Sequence, residues 1–192
     1  MKKIIGLVII CFTIFTTKTS AQIQKGNILV GGDIANLNLT LGGGGAFQVT
    51  VDPKVAFFIR DNIALGAYLD FGLATAKGAG TDTRYGVGAL GRYYVNDPTV
   101  NVLNHGRLFF EGNAGIQGIS QSDGSNTTGL GLGIGPGYAY FITPNIGLET
   151  LLKYNGVVGF GSEPYSSNLN LGIGFQIYLP GRSVQKIVNE VK

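Results

Sequence analysis

Ile63-Ala64-Leu65-Gly66-Ala67-Tyr68-Leu69-Asp70-Phe71-Gly72-Leu73-Ala74 holds one period across its whole length, and that period is two. Ile63, Leu65, Ala67, Leu69, Phe71 and Leu73 fall on one face. Ala64, Gly66, Tyr68, Asp70 and Gly72 fall on the other. Alternation sustained this long predicts a β-strand whose faces meet different surroundings.

The same period recurs on both sides of this stretch. It predicts strands over Phe47–Ile59, Tyr85–Val95, Leu108–Ile116, Leu130–Tyr140, Ile146–Tyr154 and Leu169–Leu179. Ile28–Leu39 is the least regular: Ile28, Val30 and Ile34 share a face, but Leu37 and Leu39 change sides, which predicts a bulge near Ala35. Pro53 and Pro136 interrupt their strands and predict two further local bulges. The total is eight strands. Arg60-Asp61-Asn62 and Thr143-Pro144-Asn145 read as tight turns. Residues 40–46, 75–83, 119–128 and 156–166 read as polar, glycine- and serine-rich loops, and 96–106 as a longer connection on the tight-turn side.

Composition decides which face is which. Of 192 residues 32 are glycine, only 13% are charged, and mean hydropathy is +0.24. A soluble sandwich or barrel puts its bulky apolar residues inside and its charges outside. Here the minority face is glycine with scattered charges, so that arrangement would overfill the interior and leave a surface of glycine. Turned inside out, large residues meet lipid while glycine and polar residues line a narrow lumen. An open sheet would leave unpaired edges in lipid, so the sheet must close. The predicted fold is all-β: a closed eight-stranded antiparallel up-and-down transmembrane β-barrel. About 11 residues per strand suffice to cross the hydrocarbon at barrel tilt. Phe57, Phe58, Tyr93, Tyr94, Phe109, Phe110, Tyr138, Tyr140, Phe141 and Tyr178 gather at strand ends near the tight turns and are read as one interfacial girdle. Phe47, Phe71, Tyr85 and Tyr154 are read as a second.

The ends read differently. Met1-Lys2-Lys3, the apolar run Ile4–Phe15 and the small residues Thr19-Ser20-Ala21 have the three-part pattern of a secretory signal peptide cut before Gln22. Residues 1–21 are therefore expected to be removed, 22–180 to form the barrel, and 181–192 to be a short periplasmic tail. Losing Lys2, Lys3 and Lys18 leaves eleven of the 14 basic residues against 11 acidic ones, so the basic balance of the full chain implies no nucleic-acid partner. Cys11 leaves with the signal, and no disulfide remains possible.

The stretch Asp52-Pro53-Lys54-Val55-Ala56-Phe57-Phe58-Ile59-Arg60-Asp61-Asn62-Ile63-Ala64-Leu65-Gly66 resembles the strand–turn–strand of the small outer-membrane β-barrel family, which includes the OmpA-like and OmpX-like eight-stranded barrels. Tyr138-Ala139-Tyr140-Phe141-Ile142-Thr143-Pro144-Asn145-Ile146-Gly147-Leu148-Glu149 repeats the theme. The resemblance implies the outer membrane of a Gram-negative cell and brings no catalytic residues with it. Family barrels usually end on an aromatic residue of the last strand; here Pro180-Gly181 follows that strand.

Chemistry-bearing motifs are few. Gly86-Val87-Gly88-Ala89-Leu90-Gly91 matches a dinucleotide fingerprint in letters, but it lies inside a strand with no helix after it. His105 is the only histidine and sits at the opposite end from the serine-rich stretches Ser120–Ser125 and Ser162–Ser167, which separates a base from any nucleophile. No ligand set for a metal and no cofactor motif is present. The candidate site is a polar network in the lumen made by Lys54, Tyr68, Asp70, Arg84, Arg92, Glu111, Glu149 and Lys153. Mutual neutralisation is its expected role, because a buried unpaired charge is costly. The expected function is non-enzymatic: a structural outer-membrane barrel, or one that binds or adheres through its loops, with membrane lipid as its partner. A narrow pore and a lipid-modifying barrel enzyme are the alternatives.

Overall fold

A computed structural model describes residues 23–39, 46–78, 80–95, 106–122, 124, 126–160 and 166–181. Eight strands follow one another: β1 (Ile28–Leu39), β2 (Ala46–Arg60), β3 (Ile63–Ala76), β4 (Gly80–Tyr94), β5 (Gly106–Ser120), β6 (Asn126–Thr143), β7 (Ile146–Gly159) and β8 (Ser166–Leu179). Each pairs antiparallel with the next. β8 closes on β1 from Ile28↔Leu179 to Ala35↔Gly172, so the sheet is a closed barrel. The signal-peptide segment 1–21, the connection 96–105 with His105, and residues 182–192 lie outside the described residues.

The period of two sorts side chains by face as an inside-out barrel requires. In β2 buried and exposed residues alternate from Thr50 to Ile59. Val87, Ile134 and Leu171 are 55%, 65% and 61% exposed, whereas Arg92 and Glu149 are 2%. Bulky apolar side chains thus form the outer surface and the charges lie within, the reverse of a soluble domain.

Three expectations are corrected. First, the polar stretches read as loops are in part strand. β3 runs to Ala76 and β4 starts at Gly80, which removes most of 75–83. β5 runs through Ser120 and β6 starts at Asn126, shortening 119–128; β7 reaches Gly159 and β8 starts at Ser166, shortening 156–166. Of 40–46, Ala46 belongs to β2, and 40–45 lie outside the described residues. Polar composition there marks strands that continue into water beyond the apolar band, since ladder hydrogen bonds need no apolar side chains.

Second, neither proline inserts a bulge. Pro53 pairs with Gly32, and the register against β3 is the same on either side of it, Val51↔Phe71 and Lys54↔Tyr68. Pro136 pairs with Phe110, and Ile134↔Tyr154 and Gly137↔Leu151 keep one register. The missing N–H is absorbed as a one-sided lapse in the ladder. Register does shift where β1 was expected to bulge, between Ala35 and Asn38, with Asn36 at φ 53°. Asn is among the residues that tolerate this left-handed region.

Third, the lower aromatic girdle divides by parity. Phe57, Tyr93, Phe110 and Tyr140 are exposed on the outer wall. Phe58, Tyr94, Phe109, Phe141 and Tyr178 point inward and form a buried ring layer, with centroids 5.1–6.4 Å apart between neighbours. Strand end fixes an aromatic residue's depth, but odd or even position fixes its face.

Residues 23–27 cross beneath that layer. Gly26 N–H donates to Phe58 O at 2.8 Å, Asn62 N–H to Ile23 O at 3.0 Å, and Lys25 N–H to Asp61 Oδ1 at 2.8 Å. Ile23 is 3% exposed and packs in the same apolar cluster as the five rings.

Candidate functional site in the lumen

The site grows out of strand register. Arg92 of β4 and Glu111 of β5 are direct cross-strand partners. Arg92 Nη2 and Nε donate to Glu111 Oε2 at 2.6 and 3.1 Å. The remaining arm of the guanidinium reaches across: Nη1 donates to Glu149 Oε2 of β7 at 2.7 Å and to the Tyr94 hydroxyl at 3.0 Å. The Tyr178 hydroxyl donates to Glu149 Oε1 at 2.6 Å and lies 2.8 Å from that of Tyr94. Arg92 also stands 4.1 Å from the centroid of the Phe109 ring, a cation–π contact that joins the charges to the ring layer.

Lys54 of β2 extends the lattice. Its Nζ lies 2.5 Å from Asp33 Oδ2 of β1 and 3.0 Å from Glu111 Oε2. Gln176 Nε2 of β8 donates to Asp33 Oδ1 at 3.1 Å. Lys153 stands at the margin, its Nζ 3.7 Å from Glu111 Oε1 and 5.8 Å from the Tyr68 ring centroid. Polar side chains from β1, β2, β4, β5, β7 and β8 therefore meet in the middle of the lumen. Glycines on the facing wall make room: a Cβ at Gly137 would strike the Phe109 ring, and one at Gly88 would meet Gly115 and the Tyr68 ring.

Of the eight residues read from the sequence as the network, the structure joins Lys54, Arg92, Glu111, Glu149 and Lys153 through ion pairs. Tyr68 lies beside Lys153. Asp70 and Arg84 stand nearer the loop mouth, outside the lattice, and no described ion pair includes them. The sequence reading missed Asp33 as a member and placed Tyr94 in the girdle. Both carried a signal in their parity: Asp33 lies opposite in phase to Val30 and Ile34, and Tyr94 shares its phase with Arg92.

Chemically, this arrangement obstructs and neutralises. Among the described residues no three His, Cys, Asp or Glu side chains gather as metal ligands. The lattice charges are between 0% and 4% exposed apart from Lys153, and each carboxylate in it accepts from at least one cation.

Known proteins agree on the architecture. No family model and no curated protein matches the sequence. Among solved structures, Neisserial surface protein A is similar with a TM-score of 0.54 and 18% identity, over 80% of this chain and 97% of that one. The N-terminal β-barrel domain of Pseudomonas aeruginosa OprF follows with 0.49 and 16%, over 80% and 98%. The outer membrane enzyme PagL gives 0.43 and 12%, over 79% and 98%. At such identities the likeness speaks to fold alone. That fold is the closed eight-stranded transmembrane barrel of small outer-membrane proteins.

Proposed function

We propose that this chain is a non-enzymatic outer-membrane barrel that is plugged rather than conducting, and that it works as an envelope anchor presenting its loop-side strand ends for binding or adhesion. In this reading residues 1–21 are a signal peptide removed on export, 22–180 form the barrel, and 181–192 are a short periplasmic tail. Membrane lipid is its constant partner, and a ligand met by the loops is the variable one.

The observation that carries the reading is the cross-lumen lattice stacked on the ring layer. Eight strands leave an interior only wide enough for side chains. Here that interior holds Arg92, Glu111, Glu149, Lys54 and five aromatic rings, with Ile23 beneath. Opposite charges pair within it, so no ring of single sign is left to select ions.

The test is electrical. Purified protein in a planar bilayer is expected to show no steady conductance. A stable, ion-selective current whose selectivity changes with Glu149→Lys would overturn the plugged reading and establish the narrow pore.

A further inference from the structure

The barrel wall is not zipped over its full height. β8 pairs with β7 from Ile146↔Ile177 up to Val157↔Ser166, but with β1 only up to Ala35↔Gly172. Asn36–Leu39, the end of β1, stay with β2 through Asn38↔Gln48 and Leu39↔Phe47 and have no partner on β8 among the described residues. The cause is one residue. From Ala35 to Asn38 β1 takes three steps where β2, from Thr50 to Gln48, takes two. Asn36 is the surplus: its φ is 53°, and its Nδ2 donates to Thr50 Oγ1 at 3.3 Å. Such a bulge bends its strand and ends pairing. Without it Ile34, Leu37 and Leu39 would share one face, and β1 would continue along β8.

Six residues of β8, Ser166–Leu171, therefore have β7 on one side and, among the described residues, a free strand edge on the other. A fully closed barrel has no such edge, and an edge is a row of N–H and C=O groups that another strand can meet. Its height makes it reachable. Leu169 lies opposite Tyr154 and Leu39 opposite Phe47, aromatic residues at the loop ends of their strands. The gap thus opens at the loop-side margin of the membrane and continues toward water. The edge also has two chemically distinct faces. Leu169 and Leu171 are 63% and 61% exposed on the outer wall, whereas Asn168 and Asn170 are half-buried on the lumen side. None of the six is charged.

We propose that this edge is a docking site for an extended peptide segment of another protein, which adds as a strand antiparallel to β8 from the loop side. A backbone edge is recognised by a second backbone, and alternate side chains set the preference. The segment that fits alternates apolar residues toward lipid with polar ones toward the lumen, in phase with the leucines and asparagines of β8. A second copy of this chain does not fit. Two barrels in one membrane share an up–down sense, so their tilted β8 strands would meet crossed at roughly 70–90° and form no ladder. The site gives the loop-side binding proposed above a place and a mode, and it rests on that reading's outward-facing loops. It does not rest on the plug: a current through the barrel would overturn the plug alone, so the two fail separately.

The test uses the mature protein in lipid nanodiscs and a fluorescein-labelled peptide of alternating threonine and valine behind two solubilising lysines. Two control peptides are N-methylated, one at every valine and one at every threonine. Alternate N–H groups of an extended strand point to opposite edges, so only one methylated set faces β8. Fluorescence anisotropy is expected to show saturable binding of the parent peptide. One methylated peptide is expected to bind about a hundredfold more weakly, the scale of two or three backbone hydrogen bonds, and the other almost unchanged. Alternate amides of Ser166–Leu171 are expected to exchange hydrogen fast in the free protein and slowly with peptide bound. Deleting Asn36, which lets β1 close on β8, is expected to abolish binding. The absence of saturable binding, an equal response to both methylated peptides, or a folded deletion variant that still binds would each overturn the proposal. So would amides already protected in the free protein, the sign of another segment of this chain on the edge. The methylation contrast on the unaltered protein decides the matter even if the deletion fails to fold.

Discussion

The turn-side and loop-side halves of the lumen are built from the same strands and the same alternation, yet they solve burial in opposite ways. In the turn-side half every charge is answered within the protein, and five rings and Ile23 exclude water beneath. In the loop-side half Asp52, Asp70 and Asn113 each keep an Oδ1 with no hydrogen bond among the described residues. The difference follows from reach. Arg92 and Lys54 are long enough to cross a lumen whose facing wall is glycine, whereas Asp and Asn are short and stay at their own wall. Long cations on one level cross-link the lumen; short acids on the next stay at its wall.

The contrast can be broken most severely at its saturated end. Arg92→Ala leaves Glu149 buried without its cation and takes one of three from Glu111, a loss expected to cost about 3–5 kcal/mol. Urea unfolding in lipid vesicles measures it. Asp70→Ala, which breaks no described ion pair, should cost far less by the same assay. Near-equal losses would mean that the two halves do not differ in the way described.

The next effect concerns the outer wall. Val87 and Leu132 are 55% and 49% exposed and face lipid. Arginine at either is expected to destabilise by about 2–4 kcal/mol at mid-depth. Arginine at exposed Lys77 on the loop side, a change that keeps the charge, should stay within about 0.5 kcal/mol. Vesicle unfolding again reads both, and a Val87→Arg barrel as stable as the parent would turn the assignment of faces inside out.

The smallest of the three sharpens the boundary between the halves. Tyr178→Phe removes one hydroxyl that donates to Glu149 and meets Tyr94, and keeps the ring in its layer. Its cost is expected at about 1.5–3 kcal/mol, the range for a hydrogen bond to a charged group. Tyr68→Phe, whose hydroxyl meets only the neutral side chains of Asn113 and Gln117, should cost less, about 0.5–1.5 kcal/mol. Thermal shifts of gel mobility compare the pair.

Much of this was legible in the sequence because a barrel strand has a period of two and nothing else to hide it. Strand number, order and the facing of Leu65, Leu69, Val87 and Leu148 follow from alternation alone. The Arg92–Glu111 pair follows from folding one hairpin. What was not legible came from three physical causes. Asp33 sits in β1, where the bulge at Asn36 breaks the phase and weakens the reading of its neighbours. The ring layer reads as girdle because strand end gives depth, and only odd or even position gives face. Contacts across the lumen, such as Lys54 to Glu111 and Arg92 to Glu149, join strands that are not neighbours, and no hairpin register specifies them.

Those cross-lumen contacts bear on the order of assembly. Lys54 and Glu111 are 57 residues apart, as are Arg92 and Glu149, and Gln176 reaches back 143 residues to Asp33. The β4–β5 hairpin carries its own Arg92–Glu111 pair and β1–β2 its own Asp33–Lys54 pair, but Glu149 of β7 meets Arg92 only across the lumen. A β7–β8 hairpin inserted alone would carry Glu149 into hydrocarbon without that guanidinium, where such a group is expensive. The low-cost route brings the strands into lipid together, with the lumen already closing around its charges, so insertion and plugging become one kinetic event governed by the arrival of the last strand.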